Sequence, residues 1–205
     1  LLPEAGFITE ENTISKKGIV YNWVIDPLDG TTNFIHSLPL YCVSVALMRN
    51  DEIILGVVYE PSFDECFYAW ENSDAFLNGK KIQVSAVKQL SQSLIATGFP
   101  YTRFEKIEQY MAVFEHLMKN SHGLRRLGSA AIDLAYVACG RFEGFYEYGL
   151  QAWDLAAGAM IIKQAGGKVS DFSGGNNFVF GREIVAGNEA VFSELLDIVK
   201  ERLKS

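Results

Sequence analysis

The sequence predicts a mixed, layered α+β fold with a mainly antiparallel, β-rich first half and an alternating α/β second half. Three observations carry this. Between residues 43 and 70, β-branched and aromatic runs follow one another across short polar breaks. Over residues 103–119 the hydrophobic period becomes helical. From Gly123 onward, strand-like and helix-like stretches take turns. With 205 residues, 49% hydrophobic and 13% aromatic, the chain can bury a core as a single unit of two closely packed subdomains, about 1–120 and about 121–205.

Each element has its own reason. In WVIDPLDGTTNF (23–34), Val24 and Ile25 anchor a buried strand whose end Asp26 marks. VSVALM (43–48), EIILGVVYE (52–60) and ECFYAW (65–70) are separated by turn residues and form an antiparallel meander. Asn78-Gly79, between AFL and KKIQVS, is a hairpin signal, because both central residues of the favoured turn need positive φ. Over 103–119, Ile107, Tyr110, Met111, Phe114, Leu117 and Met118 fall on one helical face, predicting a helix packed on a sheet. GLRRLG (123–128) then reads as a strand and SAAIDLAYVACG (129–140) as a helix. RFEGFYEYG (141–149) is a further strand, and DLAAGAMIIKQAGG (154–167) a helix closed by Gly166-Gly167. KVSDF (168–172) and REIVAG (182–187) are two more strands. Asn188 caps a last helix that turns Val191, Leu195, Ile198 and Val199 inward.

Composition narrows the function classes. A formal net charge of −7 argues against nucleic acid or an anionic membrane as the main partner, since both call for a basic face. Cys42, Cys66 and Cys139 have neither an even count nor CxxC spacing, so they read as small core residues in a reducing cytoplasm. His36, His116 and His122 share no metal-ligand spacing. No apolar run is long enough to span a bilayer and no signal peptide opens the chain. The expectation is a cytoplasmic protein. Because the sequence starts at Leu1 in the middle of loop-to-strand text, an N-terminal piece is expected to be missing from it.

The chemistry concentrates at DPLDGTT (26–32). Pro27 fixes φ for a turn that returns Asp29 beside Asp26. Like charges ~4 Å apart repel by about 1–4 kcal/mol, and a divalent cation removes that penalty. Hard oxygen donors of this kind suit Mg²⁺. The alternative is an Asx-Pro turn with solvated carboxylates. Gly30, Thr31 and Thr32 follow where a short helix can begin, so backbone N–H groups and a hydroxyl face the same space, a place that attracts anions. Carboxylates for a cation beside amides for a phosphate make the minimal arrangement for metal-assisted phosphoryl transfer.

DPLDGTTNF (26–34) resembles the first signature of the inositol monophosphatase family, within the lithium-sensitive, magnesium-dependent sugar phosphatases. WDLAAGAMIIKQA (153–165) with its trailing GG resembles the second, and FITEEN (7–12) the acidic segment upstream. The matches stand in the family's order and cover nearly the whole chain. The resemblance implies an αβαβα sandwich of sugar-phosphatase type, whose N-terminal helices are absent from this sequence. It implies metal ligands at Glu10, Asp26, the carbonyl of Leu28, Asp29 and Asp154, holding two or three Mg²⁺. One ion, on Glu10, Asp26 and Leu28, would activate water; another, between Asp26, Asp29 and Asp154, would neutralise the ester oxygen. Thr31 would orient the water, with Gly30 and Thr31 N–H groups on the phosphate. Gly128, Ser129 and Ala130 become substrate contacts, and Glu147 receives substrate hydroxyls.

Each of these residues has a plainer alternative. Asp154 is an N-cap of the helix it opens, Ser129 an N-cap of its own, Glu147 an ordinary strand glutamate, and Glu10 with Glu11 a solvated loop. Thr9 stands where many family members have glycine, and Trp153 is read as packing that locks the turn. Arg125 and Arg126 are assigned nothing. In the family, the counterpart of Thr31 pairs with an acidic residue that would precede Leu1.

The expected function is magnesium-dependent hydrolysis of an inositol monophosphate or a related phosphorylated polyol or sugar, by a lithium-sensitive homodimer. Fructose 1,6-bisphosphatase and 3′-phosphoadenosine 5′-phosphate phosphatase are the nearest alternatives. A metal-stabilised binding protein that keeps the fold is the non-enzymatic one. Haloacid-dehalogenase-type phosphatases carry DxDGT, one residue shorter than DPLDGT, which would misalign their nucleophile and acid.

Overall fold

The computed structural model describes residues 2–11, 17–100 and 105–203. Two mixed sheets and six helices form its layers. The first sheet runs in chain order: β1 (Gly6–Thr9), β2 (Tyr21–Asp29), β3 (Cys42–Arg49), β4 (Glu52–Glu60), β5 (Glu65–Trp70), β6 (Ala75–Leu77) and β7 (Lys80–Ile82). β1 pairs parallel with β2, and every later pair is antiparallel. The expected meander is therefore present, and the strand text near the start of the chain becomes β1, whose parallel pairing with β2 the sequence did not announce. Helix α1 (Thr31–Ile35) sits between β2 and β3.

The second sheet has the order β11 (Lys168–Ser170), β12 (Glu183–Gly187), β10 (Gly144–Tyr148), β8 (Leu94–Thr97) and β9 (Gly123–Arg125). Its helices are α2 (Ile107–Asn120), α3 (Ala130–Ala138), α4 (Ala152–Gln164), α5 (Phe178–Gly181) and α6 (Glu189–Leu203). Period-two alternation splits its side chains between two cores. Ala96, Phe145, Ile184 and Ala186 face α3 and α4. Ile95, Tyr146 and Val185 face α2 and α6. On their other side α3 and α4 meet Val24, Ala46, Met48, Val58, Phe67 and Ala69 of the first sheet. The layers are sheet, helices, sheet, helices, four of the five in an αβαβα sandwich. The helices among the described residues leave the far face of the first sheet to a stacked trio, Tyr68, Trp70 and Phe76.

Three expectations are corrected. The strand at WVIDPLDG does not stop at Asp26. It continues to Asp29 through a register shift, with Asp26 opposite Ser44 and Asp29 opposite Cys42. In the helix read over 103–119, residues 103 and 104 lie outside the described residues and α2 spans Ile107–Asn120. Its buried line is Tyr110, Val113 and Leu117, while Ile107, Met111 and Met118 are 43%, 43% and 57% exposed. Contact with α6 and the second sheet selects the 110/113/117 stripe, and the remaining apolar residues are left outward. Finally, α4 begins at Ala152 rather than at Asp154. The last helix conforms: Asn188 Oδ1 accepts from the Val191 N–H at 2.8 Å, and Val191, Leu195, Ile198 and Val199 are buried.

Close approach fixes the middle layer. A Cβ on Gly56 in β4 would stand 2.5 Å from the Ala157 carbonyl oxygen and 2.9 Å from its Cα, so the missing side chain is what lets α4 lie on the sheet. That contact sets the height of the first turn of α4, and with it Asp154.

Candidate active site

The register shift in β2 decides how the acidic residues meet. Residues three apart on a regular strand face opposite sides of the sheet. Between Asp26 and Asp29 the partner strand advances only from Ser44 to Cys42, so one residue is extra and the parity reverses. Both aspartates consequently join Asn22 and Val24 on the buried face, Asp26 at 2% and Asp29 at 9% exposure.

Each carboxylate is pinned through one oxygen. Asp26 Oδ1 accepts from the Leu28 N–H at 2.9 Å. Asp29 Oδ2 accepts from the Ser129 hydroxyl at 2.5 Å and the Ala131 N–H at 2.8 Å. Asp154 Oδ2 accepts from the Gln151 N–H at 2.7 Å, one half of a capping box in which Gln151, not Asp154, is the N-cap. The second oxygen of each makes no hydrogen bond among the described residues. One oxygen from each of the three lies within 4.8 Å of those of the others. Such a constellation can hold a divalent cation.

Electrostatics points the same way. Burial, then the neighbouring Asp29 charge, pushes Asp26 up to about 8. Burial and Asp29 likewise raise Asp154 to about 7. Asp29 is raised by burial against the opposing bonds from Ser129 and Ala131. Crowded carboxylates short of positive charge are what a bound cation relieves, so the residues present fit a metal.

The other sequence-singled residues surround the same cleft, of about 460 Å³, which Glu10, Asp26, Leu28, Asp29, Gly30, Thr31, Gly128, Ser129, Ala130, Glu147 and Asp154 all line. Glu10, just past β1, is exposed and stands outside the tight triad, though its charge raises Asp26, Asp29 and Asp154. Asn12, the last residue of FITEEN, lies outside the described residues. The Leu28 carbonyl accepts from Thr31 Oγ1 at 2.9 Å and keeps its second lone pair. Gly30 caps α1 with φ 89°, and a Cβ there would press on the Leu40 carbonyl oxygen at 2.8 Å, so both conformation and space require glycine. The first bond of α1 runs from the Phe34 N–H to the Gly30 carbonyl, which leaves the preceding N–H groups outside the helical ladder. Asn33 Nδ2 donates to the carbonyls of Leu40 and Leu127, at 2.7 and 2.8 Å, and so holds this turn against the one before Gly128.

Ser129 caps α3 as its local reading has it, accepting from the Ile132 N–H at 3.4 Å, and it also donates to Asp29, a bond that the sequence did not suggest. Trp153 packs on the core, and its carbonyl accepts from the Ser44 hydroxyl at 2.9 Å. Glu147 is 6% exposed; burial, then Asp29, raises it to about 8 against the lowering influence of Arg126. Sequence reasoning passed over Arg126, Gly98, Phe99 and Pro100, all in the cleft wall. For Arg126 the available signal was its place directly before the LGSAA turn; the stretch around Gly98 offered none.

The sequence model of the inositol monophosphatase family matches residues 1–203. This chain belongs to that family. The inositol-1-monophosphatase of Mesorhizobium japonicum is 42% identical over 204 residues, covering 99% of this chain and 77% of the relative. The protein named Nus factor SuhB in Escherichia coli strain K12 is 42% identical over 202 residues, covering 98% and 76%. Among solved structures, the extragenic suppressor protein suhB from Bartonella henselae superposes with a TM-score of 0.93 at 41% identity, covering 98% of this chain and 77% of that one. As an inositol monophosphatase family member whose relatives include enzymes of that name, the chain is supported as a phosphatase. None of its helices, among the described residues, is long and apolar enough to cross a membrane.

Proposed function

We propose that this protein is a magnesium-dependent phosphomonoesterase acting on an inositol monophosphate or a closely related polyol or sugar phosphate. One observation carries the reading: three carboxylates, each tied down by one oxygen, bring an oxygen apiece within 4.8 Å of one another in a cleft that the start of α1 also lines. Mg²⁺ held by Asp26, Asp29 and Asp154, with Glu10 and the Leu28 carbonyl at the edge, would supply positive charge to the ester and acidify water.

The protein's own groups do the rest. N–H groups at Gly30 and Thr31 bind the phosphate. The Thr31 hydroxyl donates a hydrogen bond to the Leu28 carbonyl, so its oxygen is left to accept a hydrogen bond from the attacking water and aim it. Gly128, Ser129 and Ala130 line the substrate side, and Glu147 accepts hydrogen bonds from substrate hydroxyls. We further infer a cytoplasmic, lithium-sensitive homodimer.

The test is phosphate release from inositol 1-phosphate, fructose 1,6-bisphosphate and 3′-phosphoadenosine 5′-phosphate, with and without Mg²⁺. Inositol 1-phosphate should be turned over only with the metal. In Asp29→Asn that turnover should fall by more than about a hundredfold with the fold retained, because loss of a direct ligand exceeds the outer-shell range of 10–100-fold. Retained turnover refutes the assignment. The second reading, a binding protein, draws on the Nus factor name of the Escherichia coli relative. It would be favoured by a folded, Mg²⁺-stabilised protein that releases phosphate from none of the three esters.

A further inference from the structure

Glu147 is the one acidic residue of the cleft wall that is buried yet has no hydrogen bond to its carboxylate among the described residues. Beside the charge of Arg126, what holds it is shape. β8 and β10 are parallel neighbours, with Tyr146 opposite Thr97, so Glu147 and Gly98 are the next pair along. A Cβ built on Gly98 would land on the carboxyl carbon and both oxygens of Glu147. The φ of Gly98 lies outside the left-handed region, so backbone conformation does not demand glycine there; the carboxylate does.

The floor of this slot is fastened from behind. The buried Tyr110 hydroxyl, brought by α2, donates to the Gly98 carbonyl at 2.9 Å and lies 3.1 Å from Thr97 Oγ1. Thr97 Oγ1 in turn donates to the Tyr146 carbonyl at 2.8 Å, on the residue just before Glu147. Gly98 and Glu147 are thus tied to the same buried cluster of hydroxyls, and neither can drift independently.

We propose that Gly98 is a positioning residue: its bare Cα forms a slot that seats the Glu147 carboxylate, and this seating favours phosphate esters whose alcohol carries free hydroxyls. The inference rests on the phosphatase reading above. The three atoms nearest an alanine Cβ here all belong to the end of the Glu147 side chain, so the Gly98→Ala protein should fold, with the carboxylate pushed out of the slot.

The experiment measures Mg²⁺-supported kcat/KM of the wild type, Gly98→Ala and Glu147→Gln on inositol 1-phosphate and on 4-nitrophenyl phosphate, whose leaving group has no hydroxyl. A crystal structure of Gly98→Ala accompanies it. For both variants the loss on inositol 1-phosphate should exceed that on 4-nitrophenyl phosphate by at least about tenfold, as expected when a group that hydrogen-bonds a substrate hydroxyl is displaced or altered. The Gly98→Ala loss should lie chiefly in KM. In the crystal the Glu147 carboxylate should have left its wild-type place. Equal losses on the two esters, or a carboxylate that has not moved, overturn the proposal. Wild-type protein that cleaves neither ester would instead sink the phosphatase reading, while the crystal structure still decides whether Gly98 seats Glu147.

Discussion

Asp26 and Asp29 share a face only because β2 carries one more residue between them than β3 carries between their partners, and no inspection of DPLDG alone reveals that reversal. The acidic pair, its proline and its glycine were legible in the sequence. The bulge was not, because it is defined by pairing with a strand thirteen and more residues away. Ser129 shows the converse, since its local reading as an N-cap is right and still leaves out the bond to Asp29 across the molecule. Ser129→Ala should cost about 1 kcal/mol for the lost cap, read by urea unfolding. It should also weaken Mg²⁺ binding by about 10–100-fold, read by titration, because an outer-shell bond to the carboxylate is lost. The raised carboxyl pKa values give a signed pH dependence. Asp26, Asp154 and Glu147 hold their protons to about 8, 7 and 8 in the folded protein, against ordinary values near 4 when unfolded. The metal-free native state therefore binds more protons than the unfolded one between about pH 4 and 8, so these groups make it less stable as pH rises through that window. Mg²⁺ binds the deprotonated forms, so its apparent affinity should increase from pH 6 to pH 8.5. Thermal melts with and without the metal at both pH values check both statements, and a metal-induced shift that does not grow with pH contradicts them.

At the scale of elements, what the sequence made legible were stretches with one dominant face. The meander, α3, α4 and α6 are all visible in the alternation or the helical period of their apolar residues. α2 was found, and Tyr110 and Leu117 of its read face are buried, but Ile107, Met111 and Met118 are not, because its apolar residues cover more of the helix than α6 and the second sheet can bury. β8, at the heart of the second sheet, escaped notice: its four residues LIAT carry no alternation, and they are strand because β9 and β10 flank them. The start of α4 was set two residues late because a capping box can put its carboxylate at the third helical position as readily as a simple cap puts one before the first. Since α4 brings Asp154 to the cleft, its seat on Gly56 matters for binding as well as for stability. Gly56→Ala sets a side chain against the Ala157 backbone, which cannot rotate away. It should cost about 1–3 kcal/mol of stability as an overpacked contact. By lifting the first turn of α4 it should also weaken Mg²⁺ binding, whereas an overpacked contact remote from the cleft would alter stability alone. Chemical denaturation and metal titration on the same variant separate the two.

For the whole molecule, the decisive feature is that no single layer contains the cleft. Asp26 and Asp29 come from the first sheet, Asp154 and Ser129 from the helical layer, and Glu147 and Gly98 from the second sheet. The acidic cluster therefore exists only when sheet and middle helices are packed together, and the unfolded chain has no equivalent place for a cation. A ligand that binds only the assembled state stabilises it by mass action, by about 2.7 kcal/mol at a hundred times its dissociation constant. For a chain of this size each kcal/mol moves Tm by about 2–4 °C, so saturating Mg²⁺ should raise Tm by about 5–10 °C. Asp154→Asn removes the contribution of α4 and should abolish most of that rise while preserving cooperative melting, because the capping bond from the Gln151 N–H can still be accepted by the amide oxygen. Scanning calorimetry of both proteins with and without Mg²⁺ measures it. A wild type that melts at the same temperature with and without millimolar Mg²⁺ would mean that the three carboxylates, close as they are, do not form a cation site.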